Sequence, residues 1–277
     1  MEINILISTI DKGIEQASQV LLEPRSDVSY IISHQYTDKS YKYIPDCLKR
    51  PDVMVSQIPG QGVTKSRNNA IKLADGDIGL FADDDVTYRH SDIDVLKKTF
   101  QEHEQADVAI FKIRTPRGEP EYNSFPRKKQ QFKNKAPNAG TVQIAFNIMR
   151  IKENRIWFDE RFGVGNPLLI GGEERLFLHD CIKAGLQVFF FPEYVVEHPY
   201  MSTIKGIARY DKRKNWITGG TDGRINGPIA FLKAFGGTVK LIPDLIKNGA
   251  NPVRYLYHRI SATRYILRTN KNRHHED

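Results

Sequence analysis

Cysteine is scarce: Cys47 and Cys181 are the only two in 277 residues. That excludes a disulfide framework and fits a reducing compartment. Neither has a close Cys or His neighbour of the kind that marks a metal site, so both read as packed or surface thiols. The apolar runs are far too short to span a bilayer. The opening Met-Glu-Ile-Asn-Ile-Leu-Ile-Ser lacks the basic start and long apolar stretch of a secretory signal, and reads instead as an immediate strand. A cytoplasmic protein is expected. Internal repeats are absent. Acidic residues run short towards the carboxyl end, where residues 201–277 hold 5 Asp/Glu against 15 Lys/Arg, whereas the first 200 residues hold 28 against 26. The net charge of +8 therefore belongs to the tail. A basic tail favours an anionic membrane surface or nucleic acid, or is a solvated face that needs no partner. No nucleic-acid reading module accompanies it, so nucleic acid is not an expected partner.

What is present is the composition of an ordinary folded chain, long enough for one large α/β domain with or without a helical appendage. Residues 3–8, 28–33, 53–56 and 78–81 read as strands, with helical spacing after Asp11 through Ile14, Ala17, Val20 and Leu21, and again over residues 63–74. Strands alternating with helices predict a mostly parallel sheet flanked by helices. Residues 91–103 read as a helix, 108–113 as a strand, and 115–140 as a long loop that is either a binding lid or disordered. Strand character resumes at 141–151 and 188–191, with a helix between at 173–184. Beyond residue 203 the pattern is helical and basic, with helices near 228–235, 239–247 and 252–267.

Four pieces can carry chemistry. Gly-Leu-Phe-Ala-Asp-Asp-Asp-Val, residues 79–86, sets three carboxylates directly after an apolar strand. Alternation along an extended segment would turn Asp83 and Asp85 to one side and Asp84 to the other. Such a pair can hold a hard divalent cation, Mg²⁺ or Mn²⁺, or the run is an exposed acidic turn before a helix. Gly60 to Asn69 is a glycine-containing turn entering a helix, where Lys65 and Arg67 could meet phosphates or lie on a solvated face. It is not a P-loop, because Thr64 precedes Lys65 and Pro59 stands where the first glycine belongs. Gly171-Gly172-Glu173-Glu174 puts two carboxylates at a helix start, as a general base or as ordinary helix-start acids. His198, in Glu197-His198-Pro199, is a metal ligand or a structural imidazole.

Taken in order, these pieces resemble the family 2 glycosyltransferases of the GT-A fold, over about residues 1–203. The resemblance runs through Ile-Leu-Ile-Ser-Thr-Ile at 5–10, Ser-Arg-Asn-Asn-Ala-Ile at 66–71 and Ala-Asp-Gly-Asp-Ile-Gly-Leu-Phe-Ala-Asp-Asp-Asp-Val at 74–86. It continues in Phe-Asp-Glu-Arg-Phe-Gly at 158–163, Gly-Glu-Glu at 172–174 and Pro-Glu-Tyr-Val-Val-Glu-His-Pro at 192–199. It implies a domain over 1–203 that binds a nucleotide sugar, and a helical basic extension over 204–277. It makes Asp83 and Asp85 an Asp-x-Asp metal motif with His198 beside the cation. It puts Thr9, Ser33, Gln35, Lys65, Arg67, Asp83 and Asp84 on the donor. The base falls in the acidic pair, on Glu174 or Glu173, where the family usually has Glu-Asp. A second departure is Ser33-His34-Gln35 where the family commonly has an acidic loop after strand two.

The reaction so implied is inverting transfer of a sugar from a nucleoside diphosphate sugar, UDP-linked, to a hydroxyl of a saccharide or lipid-linked acceptor in bacterial surface polysaccharide synthesis. Two other readings stay open. A sugar-nucleotide nucleotidyltransferase would carry a glycine-rich basic loop after the first strand, where this chain has Ser-Thr-Ile-Asp-Lys-Gly; a noncatalytic binding protein would keep only the fold. In the tail, Trp216, Phe231, Leu232, Phe235, Tyr255, Tyr257 and Tyr265 lie among Lys and Arg. They either rest on an anionic bilayer at the inner face of the cell membrane or pack the tail down.

Overall fold

The first strand, Ile-Asn-Ile-Leu-Ile-Ser-Thr-Ile, is apolar at both alternate sets of positions, which suits a strand covered on both faces. In the computed structural model, which describes residues 1–201 and 205–269, every residue of this strand but Ile10 is buried. The strands β1 (Ile3–Ile10), β2 (Val28–Tyr36), β3 (Val53–Pro59), β4 (Ile78–Asp83), β5 (Val108–Arg114), β6 (Gln130–Phe132), β7 (Ile144–Asn147) and β8 (Val188–Glu197) form one sheet. Its order is β3-β2-β1-β4-β7-β5-β8-β6. Strands β1 to β4 are mutually parallel, β5 and β8 are parallel, and β7 and β6 pair antiparallel with their neighbours. The expected mixed, mostly parallel GT-A sheet is present.

The chain divides into two compact units, Met1–Glu160 with Phe177–Tyr200, and Arg161–Leu176 with Met201–Asp277. The boundary expected between 203 and 204 falls outside the described residues, as does the chain end 272–277, read from sequence as solvated. Arg161–Leu176 groups with the second unit.

In the first unit, Ile5, Ile7, Ile32 and Leu80 face helix α2 (His90–Glu102) through Ile93, Leu96 and Phe100. The opposite sheet face sets Leu6, Ile31 and Phe81 against Ala70 and Ile71 of α1 (Val63–Leu73). Phe81 sits 4.7 Å from Phe146 and 5.2 Å from Phe158, ring centre to ring centre, so this layer is aromatic. Burying each such ring stabilises by roughly 1.5–3 kcal/mol.

Three local expectations differ. After β1 the chain makes two short 3-10 turns, Asp11–Glu15 and Ala17–Val20, instead of a longer helix. Asp11 has φ 49°, and its carboxylate accepts from Thr37 N at 2.7 Å and Thr37 Oγ1 at 2.8 Å, so the chain is tied to the end of β2 before a helix can propagate. The loop 115–140 holds β6, which pairs with the outer edge of β8, while Tyr122, Phe125 and Phe132 pack against the core. The strand expected over 141–151 is a 3-10 turn, then β7, then α3 (Ile148–Glu153), because Asn147 Oδ1 caps the Arg150 amide at 3.0 Å.

Helix α4 (Glu173–Lys183) begins in the second unit and ends in the first. The remaining helices of the second unit are α5 (Lys212–Asn226), α6 (Ile229–Lys247) and α7 (Pro252–Thr269). Within the region read as helical, the sequence pattern singles out no helix at α5, which carries the glycines Gly219, Gly220 and Gly223. They serve close packing: a Cβ at Gly219 would lie 2.8 Å from Arg259 Cα of α7, and Thr263 Oγ1 donates to Gly219 O at 3.0 Å. Helix α6 runs unbroken through Gly236 and Gly237, because Ala230, Ala234, Thr238 and Leu245 keep one buried face along it. The tail aromatics separate in this unit. Tyr255 is buried and Trp216 packs with Tyr265 at 6.3 Å, whereas Leu232, Phe235 and Tyr257 are exposed. No described helix is long and apolar enough to cross a membrane.

Candidate active site

Parallel α/β sheets bind ligands beyond the carboxyl ends of their strands, where the strand order reverses. Here β1 lies between β2 and β4, so the reversal falls at β1/β4. Register puts Ser8 opposite both Ser33 and Asp83, Thr9 opposite His34, and Ile10 opposite Gln35. The acidic run thus arrives at the open end of the strands. Strand β4 stops at Asp83, so alternation does not govern the other two, and each carboxylate takes its own partner. Asp83 Oδ1 accepts from Arg67 Nη2 at 3.1 Å, Asp84 Oδ2 accepts from Thr9 Oγ1 at 2.5 Å, and Asp85 Oδ1 lies 3.6 Å from His198 Nε2.

Asp84 is the crowded member. Burial, then the charges of Asp83 and Asp85, push its carboxyl up to about 6, against the opposing hydrogen bond from Thr9. Because the folded protein holds this proton more tightly than the unfolded chain, ionised Asp84 destabilises the fold above about pH 6, by on the order of 3 kcal/mol. That cost fades as pH falls through 6 towards the unfolded value near 4. In EDTA, Asp84→Asn should therefore raise the melting temperature at about pH 7.5 and change it little at about pH 4. An equal shift at both pH values, in thermal melts, would show that charge crowding is not the cause.

Gly13 is a site residue that sequence reasoning passed over. A Cβ there would collide with Asp84 Oδ2 and lie 2.5 Å from Thr9 Oγ1, so the Asp84–Thr9 pair sits directly on the Gly13 backbone. The available signal was a glycine three residues after the end of the first strand.

His198 is buried, and its Nδ1 lies 2.6 Å from the Pro199 carbonyl. A carbonyl accepts only, so Nδ1 donates to it, and Nε2 is the ring nitrogen turned towards Asp85. A metal-ligating imidazole commonly donates its other ring N–H to a carbonyl in this way. The strand end is pinned by paired backbone bonds between Thr87 and Glu197, 2.9 and 3.0 Å, which bring the segment after Asp85 alongside β8. Tyr122, from the 115–140 segment, stands edge-on to His198 at 5.5 Å, so that segment reaches the site. Among the described residues no group of three or more His, Cys, Asp or Glu could hold a metal alone. The side chains present suit a cation completed by substrate oxygens, since Mg²⁺-type sites commonly take one or two carboxylates plus phosphates.

On α1, Lys65 is exposed, and Arg67 is buried with its guanidinium 5.6 Å from the Phe158 ring centre. Arg67 therefore holds Asp83 in place from inside the fold. Ser33 is fully buried, with its hydroxyl accepting from Asn69 Nδ2 at 3.0 Å, which ties β2 to α1. Gln35 is also buried, and its Nε2 has no hydrogen-bond partner among the described residues; the same holds for Ser8 Oγ. His34, whose pKa burial pulls down, lies 3.0 Å from Asp11 O and 3.2 Å from Gln57 Nε2.

The acidic pair belongs to the second unit. Gly172, at φ 93°, makes the turn into α4, and Glu173 and Glu174 occupy its first turn. Glu173 is buried and Glu174 half-buried. Amides at a helix start favour ionised carboxylates.

A sheet of this order, with polar groups gathered at its β1/β4 reversal, is that of the GT-A fold. The family model for glycosyl transferase family 2 matches residues 5–155, and the chain belongs to that family. Among solved structures it is similar to S. aureus TarS. Residues 1–349 of that protein in complex with UDP-GlcNAc give 16% identity and a TM-score of 0.55, over 84% of this chain and 67% of that one. The same TarS segment in complex with UDP gives 16% identity and a TM-score of 0.53, over 96% and 83%. A longer TarS chain gives 17% and 0.52, and this chain spans only 44% of its length. No curated protein matches this chain.

Proposed function

We propose that this chain is an inverting, cation-dependent glycosyltransferase that moves a sugar from a nucleoside diphosphate sugar to a hydroxyl of a saccharide or lipid-linked acceptor, in surface polysaccharide synthesis. The observation that carries the reading is the meeting of Asp83, Asp84, Asp85, Thr9, Arg67 and His198 at the carboxyl edge of the sheet, in a family 2 chain. UDP as the donor nucleotide is supported by the UDP and UDP-GlcNAc complexes of TarS. The buried Gln35 amide, without a partner among the described residues, supports a donor on this edge, since a ligand acceptor would satisfy it.

In the proposed reaction Asp83, Asp85 and His198, together with diphosphate oxygens, would hold a divalent cation, Mn²⁺ or Mg²⁺, which when bound would neutralise charge developing on the diphosphate. Glu174 accepts the proton of the acceptor hydroxyl. The freed oxygen bonds to the anomeric carbon from the face opposite the phosphate. The bond from that carbon to the phosphate oxygen breaks, and the nucleoside diphosphate leaves with the electron pair. Holding donor and acceptor in line supplies much of the remaining acceleration. Thr9 and Arg67 act by fixing Asp84 and Asp83.

A screen of nucleotide sugars for cation-dependent hydrolysis tests the reading before any acceptor is known. Release of nucleoside diphosphate from one donor, abolished by EDTA, is expected. Pyrophosphate release from a sugar phosphate and a nucleoside triphosphate would favour the nucleotidyltransferase, and donor binding without turnover a noncatalytic protein.

A further inference from the structure

Helix α6 carries an apolar stripe that the fold does not cover. Leu232, Phe235, Val239, Ile242 and Ile246 follow one another at steps of three and four residues, and all are exposed, Leu232 at 75% and Ile246 at 63%. Such steps keep them on one side of a helix. The buried face of α6 is a different one, built from Ala230, Ala234, Thr238 and Leu245. Surface hydrophobes scattered singly need no explanation, but five aligned over four turns do. Ile229 begins the same helix and is also exposed.

Charge selects the occupant. Lys233, Lys240 and Lys247 each follow a stripe residue by one position, about 100° round the helix, and all three are exposed. The single acid of α6, Asp244, is already engaged by Tyr210 and by Arg209 at 3.0 Å. A second copy packed stripe to stripe would set like-charged lysine rows beside each other with no carboxylate to answer them. An anionic bilayer instead accepts the apolar side chains among its acyl chains and the lysines among its headgroups. The surrounding charge agrees, at 15 Lys/Arg against 5 Asp/Glu over residues 201–277.

We propose that α6 lies in the plane of an anionic lipid surface, with Leu232, Phe235, Val239, Ile242 and Ile246 inserted and Lys233, Lys240 and Lys247 at headgroup level. Of the aromatics picked out in the sequence, Tyr255, Trp216 and Tyr265 pack within the second unit, so they do not belong to this surface.

The test is flotation of the full chain with vesicles of phosphatidylcholine alone and with about one third phosphatidylglycerol. Binding is expected to the anionic vesicles and to be weak on phosphatidylcholine alone. Leu232→Ser with Phe235→Ser should lower binding at least about tenfold, through lost apolar burial. Replacing Lys233, Lys240 and Lys247 with Gln should cost about fivefold for each lysine, and high salt should mimic it. Both variants should keep the wild-type melting profile and donor hydrolysis, because these side chains face outward. Binding indifferent to phosphatidylglycerol, or unchanged in Leu232→Ser with Phe235→Ser, overturns the proposal. So does a dimer in sedimentation velocity that this same pair of changes dissociates. Vesicle binding needs no donor sugar, so its failure leaves the transferase reading standing, and the reverse holds.

Discussion

Glu174→Gln should lower sugar transfer about a thousandfold while leaving affinity for the donor diphosphate within about threefold. The carboxamide keeps the shape of the side chain and its place in the first turn of α4, but cannot accept a proton. Donor binding, assigned to groups at the carboxyl edge of β1 and β4, should be untouched. The expected signature is a fall in kcat with little change in donor KM. Glu173→Gln is the informative companion, because Glu173 is more deeply buried than Glu174. Full transfer in Glu174→Gln together with loss in Glu173→Gln would move the base by one residue. Full activity in both would remove the acidic pair from the reaction.

Asp85→Ala should abolish most cation-dependent turnover, with a loss on the order of a thousandfold, comparable to that caused by EDTA in the unaltered chain. Asp85 is the most exposed carboxylate of the run and faces Nε2 of His198 across 3.6 Å. Asp83 differs in already pairing with Arg67, so Asp83→Ala would disturb Arg67 as well and report less cleanly. A second readout separates cation binding from chemistry. Adding Mn²⁺ with UDP should raise the melting temperature of the unaltered chain, since a ligand bound only to the folded state stabilises it. That rise should shrink in Asp85→Ala. Turnover undiminished in EDTA would end the cation assignment.

The parallel half of the sheet was legible because its strands are apolar runs of the right length, and Asp83 to Asp85 could be placed from strand polarity alone. What the residues contact was not legible. That Asp84 would lean on Thr9, and that Gly13 would have to be a glycine for it to do so, depends on segments separated by 75 residues. Short elements also escaped. Strand β6 has three residues, too few for a period to show, and the four of β7 were read only as part of a longer strand over 141–151. Helix α5 was hidden by its glycines, whose low intrinsic helix preference is outweighed by the packing against α7 that they permit. In the tail, composition identified a basic aromatic region, but only burial separated the side chains that hold the unit together from those facing outward.

Strand β6 has a bearing on how the chain stays dispersed. Beyond it, β8 offers Val188 to Phe191, a β-forming run with three consecutive phenylalanines, of the kind that templates cross-chain pairing when its edge is bare. Gln130, Gln131 and Phe132 occupy that edge, opposite Phe190, Phe189 and Val188. The covering strand is short, polar at two of its three positions, and flanked by Arg127, Lys128, Lys129 and Lys133. Lys129 also lies over the rings of Phe189 and Phe191, at 5.6 and 5.9 Å. A like-charged, three-residue border offers little purchase to an incoming strand. The three residues of β6, read from sequence as loop, thus cover the β8 run that a bare edge would offer to another chain.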